Sequence, residues 1–151
     1  MSVGQFVFML HSHLPYYRKA GMWPFGEENL YECMAETYIP LLNAISELYD
    51  EGIKAKLTVG ITPILAEQLN DEHLKHGFVK YLDSRIAQVT KDLERYPDPK
   101  VAHSQHLKYL AKYYFDWFSN IKDAFVNKYG MDLIGQFKKF QDLGCIEITT
   151  S

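Results

Sequence analysis

The sequence predicts an α/β fold built on parallel strands, and three observations carry that reading. Short apolar runs alternate with long segments of helical periodicity, in the order strand, loop, helix, strand, helix, which favours a parallel sheet with right-handed crossovers. The first run, Phe6-Val7-Phe8-Met9-Leu10, leads directly into His11-Ser12-His13-Leu14-Pro15-Tyr16. Two histidines one residue apart at a strand's end point to the same side of the sheet. Barrels and open α/β sheets present polar groups to a substrate at the carboxyl ends of their strands.

Each element has a local reason. Gln5 to Leu10 reads as a short, fully buried strand, followed by a long loop through Pro15, Gly21, Pro24 and Gly26. A structureless loop of about a dozen residues is more often functional than idle. Glu27 and Glu28 favour a helix start through the helix dipole. Leu30, Met34, Tyr38, Leu41, Leu42, Ile45 and Leu48 then recur at helical spacing to Asp50, interrupted by Pro40, which predicts a kink or two helices meeting near Tyr38 and Ile39. Gly52 is placed to end the helix as a left-handed cap. Lys54 to Ile61 follows as a second strand, and Gly60-Ile61-Thr62-Pro63 turns into a helix with proline in its first turn.

From Asp71, the apolar positions Leu74, Phe78, Leu82, Ile86, Val89 and Leu93 mark a long helix that stops before Pro97-Asp98-Pro99. Another begins near His103 or Ser104, with Leu107, Leu110, Tyr114, Trp117, Phe118, Ile121 and Phe125 on one face. Two long helices exceed what a crossover needs, so about 71–128 is expected to be a helical insertion between the second and third strands. Leu133, Ile134, Phe137 and Phe140 give a shorter helix capped at Gly144, and Cys145 to Thr150 is the third strand. A chain that stops on a parallel strand leaves an open sheet edge, so the sequence reads as cut off and the third strand's edge as a surface for self-association.

Composition sets the remaining bounds. The chain has 151 residues, a formal net charge of -3 and no clustered Lys/Arg stripe, which excludes nucleic acid as the expected partner. No apolar run approaches the roughly 20 residues that span a bilayer, and Met1 to Gln5 lacks the basic start of a secretory signal, so no membrane role and a cytoplasmic location are expected. Cys33 and Cys145 fit no metal or redox spacing and read as reduced packing residues. Aromatic residues make up 15% of the chain, and flat aromatic faces both fill cores and stack on sugar rings.

The candidate chemistry starts at His11 and His13. An HxH pair after a first strand can supply two metal ligands, line a substrate wall through hydrogen bonds, or be structural. A metal site needs at least a third protein ligand, and no His, Asp or Glu follows the second strand or falls inside the third at an evident position. Trp23-Pro24-Phe25-Gly26-Glu27-Glu28 lies in the adjoining loop. Trp23 is read either as a sugar-stacking residue or, with Phe25, as a core anchor, and the two glutamates as helix-start charges. Tyr109 and Tyr113 sit off the apolar stripe of their helix, where they can meet a neighbouring domain or a polymer. No Gly-rich phosphate loop, GxSxG elbow or assignable carboxylate pair is present.

These segments resemble the amino-terminal part of glycoside hydrolase family 57, and within it the α-1,4-glucan branching enzymes. His11-Ser12-His13-Leu14-Pro15-Tyr16 looks like the family's first motif and Gly60-Ile61-Thr62-Pro63-Ile64-Leu65 like its second. Trp23-Pro24-Phe25-Gly26-Glu27-Glu28 and Ala35-Glu36-Thr37-Tyr38-Ile39-Pro40-Leu41-Leu42 are similar to the branching group in particular. The resemblance implies the amino-terminal part of an incomplete (β/α)7 barrel, with three parallel strands and the long insertion between the second and third.

It also implies a retaining transfer of an α-1,4-glucan segment to form an α-1,6 branch, with amylose or glycogen as substrate and neither cofactor nor metal. Substrate binding would fall to His11, His13, Tyr16, Trp23, Thr62 and Pro63. The Glu nucleophile and Asp acid/base would lie in later motifs outside these 151 residues, so the chain carries no catalytic residue and is expected to be inactive as a separate protein. The alternatives are a 4-α-glucanotransferase or α-glucan hydrolase of the same family, an HxH metal-dependent amidohydrolase fragment, and a non-catalytic glucan-binding or assembly module.

Overall fold

Strands β1 (Met9–Ser12), β2 (Leu57–Ile61) and β3 (Ile146–Thr149) run parallel in the order β1-β2-β3. The structure is a computed structural model and describes residues 3–4, 6–98 and 100–150. In register, residues 9–12 lie opposite 58–61, and residues 57–60 opposite 146–149. Between β1 and β2 come α1 (Glu27–Cys33), a π-helical turn (Met34–Tyr38) and α2 (Ile39–Asp50). Between β2 and β3 come α3 (Pro63–Asn70), α4 (Glu72–Arg95), α5 (Ser104–Asp123), a second π turn (Ala124–Lys128) and α6 (Leu133–Asp142).

The first strand differs from its expected form. It starts at Met9, so His11 lies within it and His13 just beyond, while Gln5 falls outside the described residues. Phe6 is 88% exposed, and Val7, Phe8 and Met9 are exposed as well, so the apolar run is not buried. An apolar run reads as buried when layers cover it on both sides. Among the described residues β1 is an edge strand that pairs only with β2. The second strand is also shorter than predicted, because Lys56 adopts a left-handed φ of 57° that extended pairing cannot accommodate.

Most other elements form for the reasons their sequences offer. The break expected at Pro40 is the π turn, which ends just before α2 and includes Glu36, the residue whose carbonyl a proline four positions later would crowd. Thr62 caps α3, its Oγ1 accepting from the Leu65 N–H at 3.4 Å, and Asp71 caps α4, accepting from the Leu74 N–H at 3.0 Å. Helices α4 and α5 form an antiparallel pair. Lys122 reaches Asp83 at 2.5 Å, and Phe78 meets Phe125 edge-on with centroids 4.9 Å apart. Pro99, one of the prolines expected to separate these helices, lies outside the described residues.

The core gathers Leu30, Tyr31, Ile39 and Leu42 from the first helical run, Val59 from β2, Leu65 from α3, Phe78 from α4, and Phe137 and Phe140 from α6. Helix α5 packs chiefly on α4, so its buried stripe is narrower than its sequence suggests. Tyr114, expected in that stripe, is exposed beside Tyr109 and Tyr113, and Trp117 and Phe118 are half-buried. Both cysteines are free thiols, Cys145 buried and Cys33 half-buried. At the outer edge of β3, the Ile148 N–H donates to Gln141 Oε1 at 2.8 Å, so α6 satisfies one of the edge donors.

Candidate functional site

The carboxyl ends of β1 and β2 bring four of the expected residues together. His11, His13, Thr62 and Pro63, with Leu14 and Ile64, line an open cavity of about 620 Å³. The two imidazoles sit on one side of the strand end, with ring centroids 5.3 Å apart at 54°, as period-2 alternation requires. Gly60 faces His11 across the sheet, and a Cβ there would lie 3.4 Å from His11 Nδ1. Even with a Cβ, this position would therefore lie at van der Waals distance from that ring. Thr62 is placed twice over, by its capping bond and by its N–H, which donates to the Ser12 carbonyl at 3.4 Å. This wall offers ring nitrogens and a hydroxyl among the apolar side chains of Leu14, Pro63 and Ile64, a combination suited to neutral hydroxyl-bearing ligands.

Tyr16 and Trp23 do not line that cavity. Tyr16 is 55% exposed and Trp23 78%, and Phe25 is exposed beside Trp23. The core-anchor reading of Trp23 and Phe25 is thereby overturned: both rings project from the loop. The loop is nonetheless held firmly. Gln68 meets the backbone of Pro15 and Tyr17, Arg18 Nε pairs with Asp71 at 2.7 Å, and the Lys19 N–H donates to Glu27 Oε1 at 2.7 Å. Lys19 and Phe25 both carry left-handed φ angles, 61° and 62°, conformations that cost free energy at non-glycine residues and persist only where the surroundings enforce them.

The sequence matches the model of glycosyl hydrolase family 57 over residues 7–151. The chain belongs to that family. A 1,4-alpha-glucan branching enzyme of Thermococcus kodakarensis is 39% identical over 148 residues, covering 98% of this chain and 21% of that protein. The crystal structure of a GH57-type branching enzyme from Pyrococcus horikoshii superposes with a TM-score of 0.87 at 38% identity, over 95% of this chain and 26% of that one. The α-amylase AmyC of Thermotoga maritima gives 0.80 at 32% identity, over 95% and 26%. The chain thus spans about a quarter or less of the relatives it matches. Its three parallel strands and their helices correspond to the amino-terminal part of the family 57 (β/α)7 barrel.

Membership in family 57 replaces the amidohydrolase reading of the HxH pair. Among the described residues, no three His, Cys, Asp or Glu side chains come together as a metal site. No described helix is long and apolar enough to cross a membrane.

The glutamates beside the loop do more than start a helix. Glu27 is 7% exposed and receives the Lys19 N–H, the Tyr31 hydroxyl at 3.0 Å and His73 Nε2 at 2.8 Å. Burial alone would raise its carboxyl pKa, but these three groups together hold it below its ordinary value. Burial and the adjacent Glu27 carboxylate push the Tyr31 hydroxyl well above the usual tyrosine range. Glu28 pairs with Arg85 of α4, whose guanidinium also lies 4.9 Å from the Tyr81 ring centroid. Helix α1 is therefore tied to α4 at two places, through Glu27 and His73 and through Glu28 and Arg85, and to the loop by the Lys19 N–H on Glu27. The sequence carried a signal for Gln68, a polar amide between Leu65 and Leu69 on a buried helix face. For Glu27 it showed only the first-turn position.

Proposed function

We propose that this family 57 chain is the amino-terminal part of the catalytic barrel of an α-1,4-glucan branching enzyme, which transfers an α-1,4-glucan segment to form an α-1,6 branch. The observation that carries the reading is the 39% identity to a branching enzyme across nearly the whole chain, and the histidine wall stands where a barrel of this kind meets its substrate. In this proposal His11, His13, Thr62 and Pro63 line the glucan cleft, and Tyr16 and Trp23 offer exposed rings to neighbouring sugars. The paired helices of residues 72–123 and the π turn after them are the insertion between strands two and three. The segment binds and orients glucan, and the carboxylates of a retaining mechanism come from elsewhere in the full protein. A cytoplasmic site of action, which the two free thiols suit, and self-association at the edge of β3 belong to the same proposal.

The second reading, hydrolysis of α-glucan, is favoured by one observation, the superposition on an α-amylase at a TM-score of 0.80. Incubating the full natural protein with amylose separates the two. Branching produces α-1,6 linkages, seen as new anomeric proton signals and as short chains released by a debranching enzyme, with few new reducing ends. A rise in reducing ends without α-1,6 signals assigns hydrolysis and overturns the branching proposal.

A further inference from the structure

Gln68 is 1% exposed and faces the core from α3 between Leu65 and Leu69. A buried amide is tolerated only when its donor and acceptor are both used. Gln68 Oε1 accepts from the Tyr17 N–H at 2.6 Å, and its Nε2 donates to the Pro15 carbonyl at 3.0 Å. The Pro15 carbonyl belongs to the peptide before Tyr16, and the Tyr17 N–H to the peptide after it. One side chain, distant in sequence, thus holds both peptide planes that set the backbone angles of Tyr16. A carboxylate of the same length can only accept, an ammonium can only donate, and asparagine is one methylene shorter. The exposed Tyr16 ring therefore projects from a backbone fixed on both sides.

We propose that Gln68 is a positioning residue for glucan binding, clamping the peptides that flank Tyr16 so that its exposed ring projects from a fixed point on the loop that follows β1. The role rests on the glucan reading above. A ring whose backbone is already fixed leaves less freedom to be lost when a sugar docks against it. The clamp acts on binding and leaves the chemical step alone. Arg18–Asp71 and Lys19–Glu27 hold the loop further along, so loss of Gln68 frees Tyr16 without releasing the whole loop.

The test uses the full natural protein with Gln68→Met, which matches the side chain's length and makes neither bond, and Gln68→Glu, which keeps the acceptor for Tyr17. Amide exchange at Tyr17 is expected to be slow in the parent, about tenfold or more faster in Gln68→Met and intermediate in Gln68→Glu. With maltoheptaose or amylose as substrate, KM is expected to rise about tenfold in Gln68→Met, with kcat within about twofold. Tyr16→Ala should raise KM similarly, and the double variant should show little further rise, because both act through one ring. Equal exchange in parent and Gln68→Met overturns the clamp. Fully additive KM effects, or a fall in kcat at unchanged KM, overturn the positioning role in favour of simple destabilisation. A parent protein that binds no glucan overturns the function proposed above and this role with it, while the exchange measurement still reports the clamp.

Discussion

Glu27 occupies the first turn of α1, where a carboxylate is favoured by the helix dipole, yet its environment is set by groups eight and 46 residues away in the chain. Replacing it with Gln keeps the shape and removes the charge that Lys19, Tyr31 and His73 address. A loss of about 1–3 kcal/mol is expected at neutral pH, measured as a lower denaturant midpoint at unchanged slope. The folded-state pKa of Glu27 lies below its ordinary value of 4.5, so its contribution is complete above that value and disappears as pH falls through the folded pKa. Parent and Glu27→Gln should therefore converge in stability on acidification, and a gap that persists at about pH 2 would contradict this. Gly77 tests the same cluster from the other side. A Cβ there would run into the Tyr31 hydroxyl, so Gly77→Ala should cost about 1–3 kcal/mol, and adding Tyr31→Phe should recover part of the loss. Neither consequence was legible in the sequence, because both depend on which distant side chain arrives at a short-range position.

Elements whose causes are local were read closely. Thr62 with Pro63, Asp71 before a helical period, and Gly52 and Gly144 as left-handed stops all act through neighbours within four residues. Asp71→Ala removes the α4 cap and the partner of Arg18 together, and a loss of about 1–2 kcal/mol in thermal or chemical unfolding is expected. Arg18→Ala, which breaks only a half-exposed ion pair, should cost under about 1 kcal/mol. Equal effects from the two variants would show that the cap contributes nothing. The strands were read less well. Their type and order follow from periodicity, but the start of β2 depends on one left-handed residue, Lys56, and the exposure of β1 depends on what lies beside the sheet. Similarly, the apolar stripe of α5 predicted a core position for Tyr114 that the narrow contact with α4 does not fill.

At the scale of the molecule, a three-stranded parallel sheet presents its strand ends, with His11, His13, Thr62 and Pro63, as one wall. Its histidine half was visible in the sequence because alternation along β1 is a local pattern, whereas Thr62 and Pro63 were marked as part of it only by their resemblance to the family's second motif. The separation of Tyr16 and Trp23 from the wall was not visible, because both lie on a loop whose course is set by Gln68, Asp71 and Glu27. The chain corresponds to about a quarter or less of its branching-enzyme relatives, and the part of the proposed function assigned to it above is recognition of glucan.

The most direct measurement of that claim is calorimetric titration of maltoheptaose into the full natural protein and into its His11→Ala/His13→Ala variant, with circular dichroism confirming that both are folded. The account predicts a dissociation constant at least about tenfold weaker in the variant, the equivalent of two modest hydrogen bonds. Unchanged affinity in a folded variant would contradict it and would place the glucan site away from the ends of β1 and β2.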